Sequence, residues 1–342
     1  MAPTFGVVFS GDFPLQRTLE GAVLAERLGF DACWVGEDFF YHGGIATATA
    51  VAERTERMTI GLGVLSPLPR HPALTAMEVA TLDEIAEGRL ILGIGNGVPA
   101  WMRQMRLMPK SPLSAMREGV ELCRRLIGGE TVTYDGVCFA LDQVKLGFKP
   151  HRALMPIYLG VERARGMQLS GEIADGTVVS ILAGADYLQW AREQIAAGQV
   201  RGARQTTRHE LVVYVVISID DDGARARQAV RRTLAEYVGV GGPNQLTRQA
   251  GVADDRLVEM NRIYRAGRLP VELVDDDMVD RLAVAGTPAE CERGIRRLMQ
   301  AGADQIVFFP FPTSEVEEQL TRIHDTLLPR LTSGLQVEHV AR

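Results

Sequence analysis

The chain has 342 residues, 46% of them hydrophobic, with 37 Lys and Arg against 43 Asp and Glu for a formal net charge of −6. That length and apolar content supply a substantial core, as one large barrel or two medium domains. No basic block with interleaved aromatics appears, which argues against nucleic acid as a partner, and no apolar run reaches the ~20 residues a membrane helix needs.

In chain order, Thr4–Ser10 reads as a first strand. Asp12-Phe-Pro14 then opens a helix, with Asp12 as capping carboxylate and Gly29 as the stop. Phe30–Gly36 is a second strand, followed by an acidic and aromatic loop, Glu37-Asp38-Phe39-Phe40-Tyr41-His42, and a helix over Ile45–Arg57. Two apolar runs, Met58–Pro67 and Gly88–Gly97, flank a helix over Ala73–Glu87 that starts at a proline; this is a parallel strand–helix–strand unit. Gly93-Ile-Gly95-Asn-Gly97 resembles part of a dinucleotide glycine loop, but Val98 onward does not complete Gly-x-Gly-x-x-Gly. Val98–Pro109 carries one tryptophan and three methionines in an irregular pattern, the composition of core or lid packing.

Leu113, Met116, Val120, Cys123 and Ile127 fall at helical spacing. Residues 131–139 signal a β-hairpin, since Asp135-Gly136 fits a type I′ turn between alternating strands. Strands at Met155–Gly160, Thr177–Ser180 and Glu210–Ile219 come next, each leading to a helix. Gly160 to Gly166, a strand end with two arginines before a helix, reads either as an anion site or as a solvated helix cap. Residues 239–285 break the rhythm and read as a helical excursion or substrate cover. Thr287-Pro-Ala-Glu290 is a capping box, Gln305–Pro310 the last strand and 314–331 the closing helix. Eight strands, nearly all followed by helices, favour an α/β fold of the (β/α)8 barrel type over an open doubly wound sheet. Residues 1–331 form this one domain and 332–342 a tail. Cys33, Cys123, Cys138 and Cys291 are widely spaced and form no Cys-x-x-Cys pair, which suits reduced thiols and no metal site. Residues 1–30 lack a signal-peptide pattern, so a cytoplasmic location is expected.

Taken together, several segments resemble the bacterial-luciferase-like superfamily of flavin and deazaflavin oxidoreductases, in particular its coenzyme F420-dependent branch. They are Ala25–Asp31 with Trp34, Leu62–Pro67 with Arg70-His71-Pro72, Ala80–Glu84 with Gly88-Arg89 and Leu92–Gly95, Leu169–Gly176, and Gly286–Pro288 with Ala301-Gly302. The resemblance implies a TIM barrel whose C-terminal mouth holds coenzyme F420, or FMN as the alternative, and a small-molecule substrate. It also implies a non-proline cis peptide at Gly63-Val64 supporting the cofactor ring, with Asn96 and Gly97 flanking it. Gly160, Val161, Glu162, Arg163 and Arg165 match the family's phosphate-binding loop. A homodimer or higher homo-oligomer is a further implication.

The departures concern proton transfer. Where many F420-dependent members place Asp-His after the second strand, this chain has Glu37-Asp38-Phe39. Where several carry a glutamate after the fourth-strand glycines, it has Val98-Pro99, and Val8 stands where the methylene-reductase branch tends to have a carboxylate. Glu37 and Asp38 beside aromatic residues become the candidate acids, with His71 as an alternative that reads equally as a helix cap; Ser10 and Asp12 are weaker candidates. Three functions compete: an F420-dependent reductase or dehydrogenase acting by hydride transfer, an FMNH2-dependent two-component monooxygenase, and a catalytically lapsed cofactor-binding barrel.

Overall fold

The eight apolar runs that signal strands form strands in the computed structural model, which describes residues 3–332. They are β1 (Thr4–Phe9), β2 (Ala32–Val35), β3 (Thr59–Leu65), β4 (Leu90–Gly95), then, after the hairpin strands β5 (Val132–Asp135) and β6 (Ala140–Val144), β7 (Ile157–Gly160), β8 (Gly176–Val179), β9 (Glu210–Ile219) and, after the short β10 (Val284–Gly286), β11 (Gln305–Pro310). The order β11-β1-β2-β3-β4-β7-β8 is closed by β9, which pairs with both β8 and β11, so eight parallel strands form a (β/α)8 barrel. Parallel strands bury both faces, and β1, β2, β8 and β9 are accordingly mostly apolar or small residues, nearly every one of them buried.

The chain divides into two compact units. The first, residues 6–178 with 193–211, carries β2, β3, β4, β7 and the β5–β6 hairpin. Trp34 is fully buried in it, because Gly61 leaves the space its indole fills: a Cβ there would lie 2.2 Å from Trp34 Cδ2. At the strand N-termini, burial raises the Asp175 carboxyl, but the Ile157 N–H with Arg124 and Arg204 more than offsets this and holds it below the usual range. The Asp-Gly of that matching segment is therefore structural. The second unit holds residues 3–5, 179–192 and 212–332, where the end of helix Gly223–Gly241 and the helices Gln245–Gln249, Asp254–Arg265 and Asp276–Leu282 make up the expected helical excursion. Thr287 and Glu290 form the capping box reciprocally, and Arg227 adds an ion pair to Glu290 at 2.9 Å.

Several local expectations are corrected. Asp12 does not cap the first helix: Pro14 occupies that position without a side-chain bond, and Asp12 accepts from Ser10 Oγ at 2.5 Å. The second helix ends at Ala52, because the Arg89 guanidinium donates to the carbonyls of Ala52, Thr55 and Met58 and so fixes a turn where more helix was expected. The 131–139 hairpin is present, but its turn is not the two-residue Asp-Gly type. Gly136 donates to Phe139 O, and the buried Glu118 carboxylate accepts from the N–H groups of Val137, Cys138 and Phe139, opening the connection to four residues. The strand β10 lies where only a helix start was read. The expected tail falls outside the described residues except for Thr332, the end of the last helix. No helix among the described residues is long and apolar enough to cross a membrane.

Candidate active site

The C-terminal ends of β1, β2, β3, β4 and β7, all within the first unit, bring most of the expected residues to one end of the strands. The floor is the β3 bulge. The Gly63–Val64 peptide is cis, and the β3–β4 register shifts between Leu62 and Leu65. Val64 lodges its methyls against three glycines: a Cβ on Gly95 would lie 2.5 Å from Val64 Cγ2, and Cβ atoms on Gly93 and Gly160 would lie 2.9 and 2.8 Å from Val64 Cγ1. The glycine run of β4 thus lies inside a strand and accommodates a neighbouring side chain, which accounts for a dinucleotide fingerprint that stops short.

Next to this floor, Asn96 has its Oδ1 buried with no hydrogen-bond partner among the described residues. Gly97 comes next in the left-handed region (φ +69°), a conformation that favours glycine, and a Cβ there would meet the Phe39 ring at 3.2 Å. Phe39 in turn packs 6.1 Å from Trp101 on the short helix Pro99–Gln104, and Met102 beside it is buried. The Met- and Trp-containing segment is therefore partly packing and partly wall.

The acidic loop separates its two carboxylates by environment. Glu37 accepts a bidentate pair from Arg70 at 2.8 and 2.9 Å, and Arg70 also approaches Glu78 at 3.4 Å. The Glu37 hydrogen bonds raise the Arg70 pKa further, and the Glu37 side chain they hold is only 5% exposed. Asp38 has no cation partner among the described residues. Its Oδ2 accepts from the Gly11 N–H at 2.8 Å, burial pushes its carboxyl up, the Gly11 bond opposes this, and the charges of Asp12 and Glu37 add to the rise. Gly11 is held in place by His42, whose backbone N–H donates to Gly11 O and whose Nδ1 lies 3.0 Å from the same oxygen. Phe40, at φ +74°, turns the loop so that this contact is made.

His71 is the N-cap of helix Pro72–Ile85, where its Nδ1 accepts from the Ala73 N–H at 3.2 Å and its ring meets Phe139 edge-on. With Nδ1 occupied as an acceptor, its proton sits on Nε2. At the β7 end, Gly160 and Val161 lead into helix Ala164–Ile173, whose N-cap Arg163 provides no side-chain bond, so the first-turn N–H groups point outward without partners from the helix. Arg163 and Arg165 are both exposed at this helix start. Glu162 is open to water yet surrounded by protein; that crowding raises its pKa, with Arg163 opposing. Burial pushes the Cys33 and Cys123 thiols up to about 12.

The residues expected at the β3 bulge, Asn96, Gly97 and the Glu37-Asp38 pair lie at this end of the strands, whereas Arg70 as the partner of Glu37, Gly11 and His42 as the support of Asp38, and the contact of Phe39 with Gly97 were not foreseen. A lone Arg preceding His-Pro was the only available signal for the first of these.

Parallel barrels carry catalysis at the strand C-termini, the end where the Val64 bulge, Asp38 and the exposed arginines of the Ala164–Ile173 helix start lie. The model of the luciferase-like monooxygenase family matches residues 3–305, and the chain belongs to that family. A 5,10-methylenetetrahydromethanopterin reductase of Archaeoglobus fulgidus is 30% identical over 333 residues, 96% of this chain and 99% of its own. An F420-dependent glucose-6-phosphate dehydrogenase of Nakamurella multipartita is 31% identical over 328 residues, 91% of each chain. Among solved structures, a coenzyme F420-dependent tetrahydromethanopterin reductase from Methanopyrus kandleri superposes with a TM-score of 0.89 at 24% identity, over 97% of this chain and 100% of that one, a likeness of fold.

Proposed function

We propose that the protein is an F420-dependent oxidoreductase that reduces a C=N or C=C bond of a small organic substrate. What carries the reading is that both named relatives match nearly the whole chain, and the enzymes they describe act on different substrates. F420 is named for the dehydrogenase and for the structural neighbour alike, so the cofactor is the property this chain is inferred to share, and the substrate is not.

The donor set fits such a group. Val64 on its glycine support offers an apolar floor for a planar ring, the orphaned Asn96 Oδ1 an acceptor at its edge, and Arg163, Arg165 and the helix start an anion seat for phosphate. When bound, the deazaflavin supplies or accepts the hydride at its C5. The protein's own work is orientation and proton supply. Asp38 is the acid, since it is half-buried, lacks a cation partner among the described residues and has one oxygen not engaged by Gly11, whereas Glu37 is committed to Arg70. Phe39 and Trp101 form an apolar wall that excludes water from the reacting carbon. Exposed Leu74 and Met77 on helix Pro72–Ile85 support a homodimer built through the early helices, and the free thiols suit the cytoplasm.

The test is anaerobic incubation of the protein with reduced F420 and a panel of imines and enones, followed through the cofactor's visible absorbance. Substrate-dependent oxidation that needs no oxygen is expected. Oxygen-dependent turnover with FMNH2 and no F420 binding would identify a monooxygenase instead, and binding without any turnover would identify a lapsed barrel.

A further inference from the structure

We infer that Gly95 and Gly160 are positioning residues for the cofactor, acting through the Val64 side chain, whose depth between them sets the height of the ring seat; the inference rests on the assignment of F420 as the cofactor. All three glycines that meet Val64 lie on the next two strands of the sheet, Gly93 and Gly95 on β4 and Gly160 on β7. Gly95 and Gly160 face it in a way that isolates the contact. For Gly160 the three nearest atoms to an added Cβ all belong to the Val64 side chain, at 2.8, 3.1 and 3.5 Å. For Gly95 they are Val64 Cγ2 at 2.5 Å, Gly160 O at 3.2 Å and Val64 Cβ at 3.4 Å. Gly93 differs, since its Cβ would strike Leu62 O at 2.2 Å, a backbone atom that cannot rotate away.

A methyl on Gly95 or Gly160 therefore has one obstacle that can yield, the valine, and the direction open to it is out of the socket. Val64 is half-buried, on the bulge that forms the site floor, so a lifted valine moves toward the volume the ring occupies. Removing the two methyls instead lowers the floor. The socket thus couples the two glycines to the fit of the cofactor, and the coupling runs through one side chain.

The experiment measures F420 affinity by fluorescence titration, with thermal unfolding alongside, for wild type, Gly95→Ala, Gly160→Ala, Val64→Ala and the doubles Gly95→Ala/Val64→Ala and Gly160→Ala/Val64→Ala. Each single glycine variant is expected to lose at least tenfold in affinity, and each double to regain affinity relative to its glycine parent, because the obstructing methyls are gone. Val64→Ala, which creates no clash, is expected to fold and to bind more weakly than wild type, which keeps the inference testable if a glycine variant fails to fold. Glycine variants that bind as wild type, or doubles that merely add the two losses, overturn it. Wild-type protein that binds no F420 overturns the cofactor reading and this inference with it; wild-type binding with unaltered variants overturns this inference alone.

Discussion

Replacing Asp38 by Asn keeps the shape and the acceptor of the side chain while removing its proton. The amide oxygen still accepts from the Gly11 N–H at the 2.8 Å site, so the β1 and β2 loop ends stay joined. The rate of substrate reduction is expected to fall about 10²- to 10⁴-fold, the usual share of a positioned general acid. Its pH dependence changes as well. The native Asp38 carboxyl is raised by burial, so wild-type activity in the reductive direction declines as pH rises through that raised value, and the variant lacks this limb. Stability has the same sign: a raised native pKa means that the folded state binds the proton more tightly, so stability falls as pH rises from the unfolded value through the native one. Asp38→Asn removes that loss and unfolds at or above the wild-type temperature near neutrality. Asp38→Ala, by contrast, leaves the Gly11 N–H without its acceptor at a cost of about 1–3 kcal/mol. Steady-state rates across pH with reduced F420, together with calorimetry, separate these effects. An Asp38→Asn enzyme with the wild-type rate and profile would refute the assignment and direct attention to Glu162.

Arg70→Gln strips the 5% exposed Glu37 of its cation; breaking a fully buried pair costs about 3–5 kcal/mol, and the partial exposure of Arg70 places this case below that range, measurable as a lower denaturant midpoint. Arg163→Ala combined with Arg165→Ala is expected to weaken F420 binding and to flatten its ionic-strength dependence, because exposed charges are screened over a Debye length of ~10 Å at 0.1 M salt; titrations at two salt concentrations read this directly. Glu290, held at about 2 by Arg227 with the Thr287 N–H and hydroxyl, contributes stability that is present above its ordinary carboxylate value of 4.5 and is lost as pH falls toward 2. Glu290→Gln should accordingly shrink the gap between unfolding midpoints at pH 6 and pH 3, and an unchanged gap counts against the pairing.

The barrel was legible because parallel strands need apolar residues on both faces and leave runs such as Val7-Val8-Phe9 and Leu211–Ile219 that no helix imitates over so short a length. Capping was legible where its donors are local, as at Thr287 and Glu290, and misleading at Asp12, where a nearer hydroxyl on Ser10 takes the carboxylate. The same limit applies to the site. Gly63-Val64, Asn96-Gly97 and the arginines after β7 occupy contiguous stretches that a family pattern covers, whereas the partners that divide Glu37 from Asp38 are 33 residues away at Arg70 and 27 residues away at Gly11. Two adjacent carboxylates are equivalent in a sequence; only the fold gives one a cation and leaves the other without. Glu118 shows the same thing in the hairpin, since its three bonds to residues 137–139 override the turn preference of Asp135-Gly136.

The most direct test of the whole account is equilibrium titration of the purified protein with F420 and, separately, with FMN in both redox states. The account predicts saturable F420 binding that FMN does not displace and that falls when Arg163 and Arg165 are removed. Tight binding of FMNH2 with no measurable affinity for F420 would contradict it.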